Sequence, residues 1–179
     1  MVAEKTLFWV VAIIIAAFWM SRHVLQQLLI RKSRRKRVLF RARRNYTRAW
    51  HFYVLYVLSL LNALLRYRSL TAETLNFGFL LIFAGALISA WAMYFIRHCY
   101  SEELEIREGF FLITSGPYHF VRHPMRVGLV IEMFGLAVLA VNVFGWLFFG
   151  LYLAMVLLRN RDEDEMMRTY LARSIHERR

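Results

Sequence analysis

The sequence has 179 residues, and 59% of them are hydrophobic, well above the roughly 45–50% apolar share of soluble domains. Charged residues still make up 20%, so apolar and charged residues must occupy different parts of the chain. The formal net charge is +12, and the single cysteine, Cys99, excludes a disulfide framework and a cysteine-rich zinc site. This composition excludes a soluble globular protein and predicts a small all-α integral membrane protein.

Three apolar segments lie in the first 96 residues. Each is compared with the length of about 20 apolar residues that a transmembrane helix needs. They cover residues 6–20, 49–65 and 75–96, and the first continues as an amphipathic stretch. An apolar segment near the N-terminus is also typical of a signal peptide, but Phe18 and Trp19 stand where a cleavage site needs small residues. We therefore expect a retained first helix.

A longer apolar run covers residues 127–158 and contains two strongly polar side chains, Glu132 and Asn142. It is too long for one ordinary span. A break at Asn142 predicts a C-terminal hairpin of two helices and about five transmembrane helices in total.

Basic residues are distributed asymmetrically between the predicted loops. Residues 31–48 contain ten of them, and placing this loop in the cytoplasm leaves 20 basic residues inside and 3 outside. The positive-inside rule then puts the N-terminus outside and the C-terminus in the cytoplasm, with a bacterial inner membrane as the expected location. We expect the polybasic loop to attract anionic lipid headgroups, which explains its charge better than nucleic-acid binding does.

Both prolines of the chain lie in one segment, residues 116–128, just before the fourth predicted span. Pro124 suits the first turn of a helix, where no amide hydrogen is needed. The free amide groups and the positive end of the helix dipole would then form an anion site together with Arg122, His123 and Arg126.

The same predicted helix carries Gly128, Glu132 and Gly135 on one face. Small residues at this spacing are typical of close helix packing. An acid within the membrane is costly and is usually functional or paired, so Glu132 is a candidate substrate-binding residue.

Arginines and four consecutive acids follow the last span in residues 159–165. One interpretation is a solvated surface turn. The other is that these side chains reach back to the loop before the fourth span, because a hairpin returns both ends to one membrane surface. We expect no metal site, since a ligand pair of His119 and His123 would need a continuous helix that Pro124 disfavours.

These motifs resemble the isoprenylcysteine carboxyl methyltransferase family, which is related to phospholipid methyltransferases. The resemblance covers residues 110–179 and rests on Leu112–Tyr118, on Arg122-His123-Pro124 with Gly128, and on residues 161–165. It divides one structural domain into N-terminal helices, residues 1–109, and a motif region, residues 110–179. It implies S-adenosylmethionine in a cytoplasmic cofactor pocket and a lipophilic acceptor that enters from the bilayer.

The resemblance also implies roles for individual residues. The cofactor pocket would be lined by Phe110, Phe111, Leu112, Ile113, Gly116, Tyr118, His123, Pro124, Met125 and Arg126. An arginine after the last span would bind the acceptor, and an acid one turn later would bind the cofactor. Without gaps these are Arg161 and Glu165, and a shift of two residues would substitute Glu163. Arg126 replaces a tyrosine of the family, which favours an anionic acceptor.

The reaction chemistry leaves several residues as catalytic candidates. A carboxylate acceptor would need an arginine to orient it, Arg161 or Arg122. A phenol or an amine would have to lose a proton, for which Glu132 or Glu163 is the candidate base. Two other functions stay open, an NADPH-dependent membrane reductase of the sterol-reductase type and a non-catalytic protein that binds anionic lipid through residues 31–48.

Overall fold

The computed structural model describes residues 37–41, 49–66, 70–97, 105–107 and 113–176, with the isolated positions 13, 24, 27 and 28. This part of the chain forms four helices: α1 (Ala49–Arg66), α2 (Ala72–Ile96), α3 (Pro124–Ala140) and α4 (Val143–His176). The predicted helices at residues 49–65 and 75–96 and the C-terminal hairpin are confirmed. The first predicted span and most of the polybasic loop lie outside the described residues.

Helices α2 and α3 pack with their backbones in contact because glycines face each other. A Cβ atom on Gly85 would lie 2.5 Å from the carbonyl oxygen of Gly128 and 2.7 Å from the amide nitrogen of Glu132. A Cβ atom on Gly135 would similarly lie 2.9 Å from the carbonyl oxygen of Gly78. The small residues on this face of α3 therefore serve close packing, as their spacing predicted.

The turn between α3 and α4 is two residues long and is tied to α1. Val141 has a φ of +46°, in the left-handed region, and ends α3. The side-chain oxygen of Asn142 accepts a hydrogen bond of 2.8 Å from the amide of Gly145 and caps α4. Asn142 also exchanges two side-chain hydrogen bonds with Asn62, of 3.1 and 3.0 Å. The residue predicted to interrupt the apolar run therefore forms the turn.

Helix α4 continues well beyond its apolar part, from Leu158 to His176. At 1.5 Å per residue the whole helix is about 50 Å long, whereas the hydrocarbon core is about 30 Å thick. No glycine or proline interrupts residues 159–176, which allows the helix to propagate. The charged residues 159–165 are thus helical and do not form a surface turn.

A short antiparallel ribbon adds to the predicted all-helical fold. Strand β1 (Val38–Arg41) pairs with strand β2 (Glu105–Arg107). The ribbon packs on the extension of α4 through the buried residues Ile106 and Met166. Strands of three and four residues are too short for a reliable alternation pattern in the sequence, which explains why they were not predicted.

Two described helices are long and apolar enough to cross a membrane, α2 and the Val143–Tyr170 part of α4. Helix α1 contributes a shorter apolar stretch, Trp50–Leu65, and α3 has 17 residues. The described helices support an all-α membrane protein, but two candidate spans are fewer than the five predicted.

Candidate active site

The segment before α3 is a tight turn that packs on the end of α2. Gly116 has a φ of +62°, and a Cβ atom there would lie 2.6 Å from the ring of Phe95. Glycine is the residue that meets both requirements. The chain then makes a 3-10 turn over Gly116–His119 and enters α3 at Pro124, with His123 as the N-cap. The predicted start of the helix is confirmed.

The first turn of α3 faces the part of α4 that follows its apolar residues. His123 Nε2 lies 3.6 Å from a carboxylate oxygen of Asp164, and Nδ1 lies 3.9 Å from a carboxylate oxygen of Glu163. Arg126 donates hydrogen bonds to the Glu163 carboxylate and to the side-chain oxygen of Asn160. Residues 122–126 and 159–164 are here called the charged cluster. The acids of α4 therefore do reach back to the loop before α3.

His123 is held in its neutral form. Burial lowers its pKa; the carboxylate of Glu163 opposes this shift, Arg126 adds to it, and Asp164 opposes it. An N–H of Arg126 lies 3.3 Å from Nδ1, so Nδ1 acts as the acceptor and Nε2 carries the hydrogen. Nε2 is buried and finds no hydrogen-bond partner among the described residues. The Asp164 carboxylate oxygen at 3.6 Å lies just beyond hydrogen-bond distance of this atom.

Two further polar groups lie in the segments that form this end of the molecule, Tyr118 before α3 and Asp162 on α4. Burial raises the pKa of Tyr118 to about 12, and the negative charge of Glu163 acts in the same direction. The Tyr118 hydroxyl therefore stays protonated at neutral pH. On α4, Asp162 Oδ2 is buried and lacks a hydrogen-bond partner within the described part of the chain. The charged cluster thus contains an unsatisfied donor and an unsatisfied acceptor.

The sequence model of the isoprenylcysteine carboxyl methyltransferase (ICMT) family matches residues 77–169, just over half of the chain. The match contains all of α3 and both sides of the charged cluster. The chain belongs to the ICMT family. It is therefore a membrane methyltransferase, and neither the reductase nor the non-catalytic alternative finds support. A search of curated proteins gives no match.

The cofactor-binding residues expected for an ICMT-family protein divide into two groups. Those within the described residues lie in the turn before α3 and in its first helical turn: Ile113, Gly116, Tyr118, His123, Pro124, Met125 and Arg126. Phe110, Phe111 and Leu112 lie outside the described residues. Within the first group, residues 116–126 lie at the end of α3 that faces the charged residues of α4.

The helical period of α4 separates the charged residues that the ICMT motif left ambiguous. Glu163 faces α3, whereas Arg161 and Glu165, which the ungapped alignment selects, are exposed. Arg159 lies one turn before Glu163 and is 6% exposed, and sequence analysis did not select it. Val156, Arg159 and Glu163 are spaced three and four residues apart, so they share one face of a helix. This spacing is the signal in the sequence that indicates Arg159.

Glu132 lies apart from the charged cluster, in the interior of the helix group, where it is 2% exposed. Its Oε2 atom accepts a hydrogen bond of 3.2 Å from the Tyr56 hydroxyl of α1. Its Oε1 atom accepts one of 3.0 Å from the Ser89 hydroxyl of α2. Glu132 therefore links three helices, and its contact with a substrate stays a prediction.

Proposed function

We propose that this protein transfers the methyl group of S-adenosylmethionine to a lipophilic acceptor at the membrane surface. Family membership supports methyl transfer. The observation that carries the location of the site is the charged cluster, where His123 and Arg126 of the α3 end meet Glu163 and Asp164 of α4. This cluster joins two segments that are far apart in the sequence, which is typical of a binding site formed between helices.

The residues of the cluster fit the chemistry of S-adenosylmethionine, which carries an ammonium, a sulfonium and a carboxylate. The Nε2–H of His123, which has no hydrogen bond among the described residues, and the positive end of the α3 dipole suit the carboxylate. The acids of α4 suit the ammonium, and Asp162 offers an oxygen without a partner among the described residues. The ring of Tyr118 suits the sulfonium or the adenine. When bound, the cofactor supplies an electrophilic methyl group for in-line displacement.

We infer that Glu163, and not Glu165, is the acid that contacts the cofactor. Glu163 faces α3, and its carboxylate is oriented by Arg126, which Asn160 holds in turn. Glu165 is exposed on another face of the helix. The same two-residue shift makes the buried Arg159, in place of Arg161, the arginine that precedes the acid by one turn.

We further propose that the acceptor reacts as an anion, a carboxylate or a phosphate. His123 presents an N–H, Tyr118 stays protonated, and the Glu163 carboxylate is engaged by Arg126. An anionic oxygen needs no base, since it attacks with a lone pair it already has. Alignment and exclusion of water then supply most of the rate enhancement.

The proposed membrane setting follows the charge distribution. Helices α1 and α3 complete the bundle with α2 and α4, and residues 6–20 supply the fifth span. The N-terminus lies outside and the charged cluster faces the cytoplasm, in a bacterial inner membrane. The polybasic residues 31–48 lie on the same side and attract anionic headgroups.

Calorimetry of the detergent-purified protein with S-adenosylmethionine and its demethylated product tests the proposal. We expect both ligands to bind the wild type. Glu163→Gln should weaken binding by roughly 10-fold or more, because a hydrogen bond to a charged group contributes about 1.5–3 kcal/mol. The matched variant Glu165→Gln removes the exposed acid and should bind like the wild type.

Two results would contradict the assignment. If neither ligand gave a binding signal, S-adenosylmethionine would not be the cofactor. If only Glu165→Gln weakened binding, Glu165 would be the acid that contacts the cofactor, as in the ungapped alignment. Incubation with labelled S-adenosylmethionine and native lipid extract then identifies the acceptor through the labelled product.

A further inference from the structure

The loop between Tyr118 and the start of α3 displays exposed apolar side chains, and the ring of Phe120 contacts only the edge of its chain neighbour His119 among the ring contacts of the described residues, at 5.2 Å between centroids. Phe120 is 80% exposed and Val121 is also exposed. The next residue, Arg122, has a side chain that is 81% exposed and lies 3.8 Å from Asp164. An ion pair this exposed contributes little to stability. Two apolar residues followed by a cation therefore project from the edge of the charged cluster.

The exposure of Phe120 comes from a well-anchored loop. The amides of Phe120 and Val121 both donate to the carbonyl oxygen of Pro117, at 3.3 and 3.2 Å. Pro117 is buried, and the backbone of Gly116 packs on the ring of Phe95. The fold therefore holds the apolar pair in an outward position.

The lengths of the helices place this loop at the membrane boundary. Helix α3 has 17 residues and so spans about 26 Å, less than the hydrocarbon core of about 30 Å. The apolar part of α4, residues 143–158, is similar in length, and any tilt shortens the projection further. The start of α3 therefore cannot lie far outside the hydrocarbon, and the loop before it lies at the level of the headgroups.

Aromatic residues mark the same boundary independently. Trp91 and Tyr94 are exposed in the last turns of α2, next to the anchor residue Phe95, and the Arg97 guanidinium lies 4.2 Å from the Tyr94 ring centroid. Trp50 is exposed at the start of α1, which begins at this end. Exposed tryptophan and tyrosine beside a cation are typical of the interface between hydrocarbon and headgroups.

The geometry points to Phe120, Val121 and Arg122 as a membrane-docking surface for lipids with anionic headgroups. Phe120 and Val121 enter the boundary between headgroups and acyl chains, and Arg122 pairs with a lipid phosphate. The inference rests on the proposed function in one respect, since it takes the charged cluster to be the site of methyl transfer. The docked loop would place this site next to the headgroup layer, from which the acceptor arrives laterally.

Fluorescence of single-cysteine variants tests the docking surface. The full chain carries Cys99→Ser and either Phe120→Cys or Ala172→Cys, labelled with an environment-sensitive dye, in phosphatidylcholine nanodiscs. Ala172 is the matched control because it is exposed on α4 far beyond the apolar residues. We expect spin-labelled lipid to quench the dye at position 120 roughly twofold or more above position 172, since interfacial side chains lie about 5–10 Å into the boundary. Equal quenching at both positions overturns the proposal.

A second comparison tests the preference for anionic headgroups. With the dye at position 120, spin-labelled phosphatidylglycerol should quench more than spin-labelled phosphatidylcholine. The ratio should reach up to about fivefold, because a basic side chain near an anionic surface contributes about 1 kcal/mol. Adding Arg122→Gln should lower this ratio, and the residues 31–48 on the same side would account for what is left of it. A ratio that Arg122→Gln leaves unchanged overturns the role of Arg122.

Val121→Cys is the alternative label site if Phe120→Cys does not fold, and it carries the same expectation. Neither fluorescence measurement depends on methyl transfer. A protein that binds S-adenosylmethionine but shows a solvent-exposed loop would contradict the docking surface alone, whereas an inserted loop without cofactor binding would contradict the proposed function alone.

Discussion

At the scale of single residues, His123 shows how distant side chains determine the state of a motif residue. The sequence places it directly before Pro124, where it can cap α3. Burial and Arg126 then lower its pKa against the effect of Glu163. A neutral ring with its hydrogen on Nε2 is a donor, which favours the proposed role of this residue in binding an anion over a role in removing a proton.

The lowered pKa of His123 predicts a pH dependence of stability. Between the folded-state pKa and the ordinary value of 6.5 the unfolded chain binds more protons, so the free energy of unfolding falls as pH decreases through that window. His123→Gln should flatten this part of the curve and leave the slope above about pH 7.5 unchanged. Thermal denaturation in detergent at stepped pH measures it, and identical slopes below pH 6.5 in both proteins would contradict the expectation.

At the scale of secondary-structure elements, the contact between α2 and α3 depends on glycine. The backbones approach where Gly85 meets Gly128, and Ser89 of α2 reaches Glu132 of α3 across the same interface. In a membrane, close backbone packing replaces much of the hydrophobic driving force that stabilises soluble bundles.

Gly85→Ala should therefore destabilise the protein. The new Cβ would lie 2.5 Å from the carbonyl oxygen of Gly128, and backbone atoms cannot move aside as a flexible side chain can. We expect a loss of about 1–3 kcal/mol or more. Gly150→Ala is the matched control, because a Cβ there meets nothing within 4 Å and the higher helix propensity of alanine should stabilise by about 1 kcal/mol. Equal effects in unfolding titrations would argue against the close approach.

The hairpin turn offers a stabilising substitution. Val141 adopts a φ of +46°, which is unfavourable for a β-branched residue. Val141→Gly should increase the free energy of unfolding by about 0.5–1 kcal/mol, because relief of about 1–2 kcal/mol of left-handed strain exceeds the entropy lost by glycine. Val141→Ala keeps the Cβ atom and should give no such gain. A melting temperature raised equally by both variants would show that backbone strain is not the cause.

At the scale of the whole molecule, the asymmetry of basic residues predicts the orientation of the chain in the membrane. The sequence assigns 20 basic residues to one side of the membrane and 3 to the other. The side with 20 contains the basic residues of the charged cluster and of the α4 extension. A cytosolic cofactor could then reach the cluster, while the acceptor could arrive from the membrane.

Reporter fusions test this topology. Green fluorescent protein at the C-terminus should fluoresce in a bacterial host, and alkaline phosphatase at the same position should be inactive, because both report a cytoplasmic end. Insertion of the two reporters at residues 67–69, between α1 and α2, should give the opposite pair of results. Phosphatase activity at the C-terminus would reverse the proposed orientation.

The sequence by itself determined the protein class, the ranges of α1 and α2, the turn at Asn142 and the start of α3 at Pro124. These features depend on composition, apolar length and local backbone chemistry, all of which can be read within a few turns of chain. The motif around His123 also indicates the family of the protein, because it is a contiguous stretch of sequence.

The tertiary structure alone decided which charged residues of α4 meet the motif. Because α4 stays helical through residues 159–165, Glu163 points toward α3, whereas Arg161 and Glu165 point away. Each residue along a helix rotates the side chain by about 100°, so a shift of one or two residues puts it on another face. It also decided that Glu132 bonds to Tyr56, 76 residues earlier, and that two short strands pair. Such pairings depend on how helices rotate and pack against each other, which no local pattern in the sequence encodes.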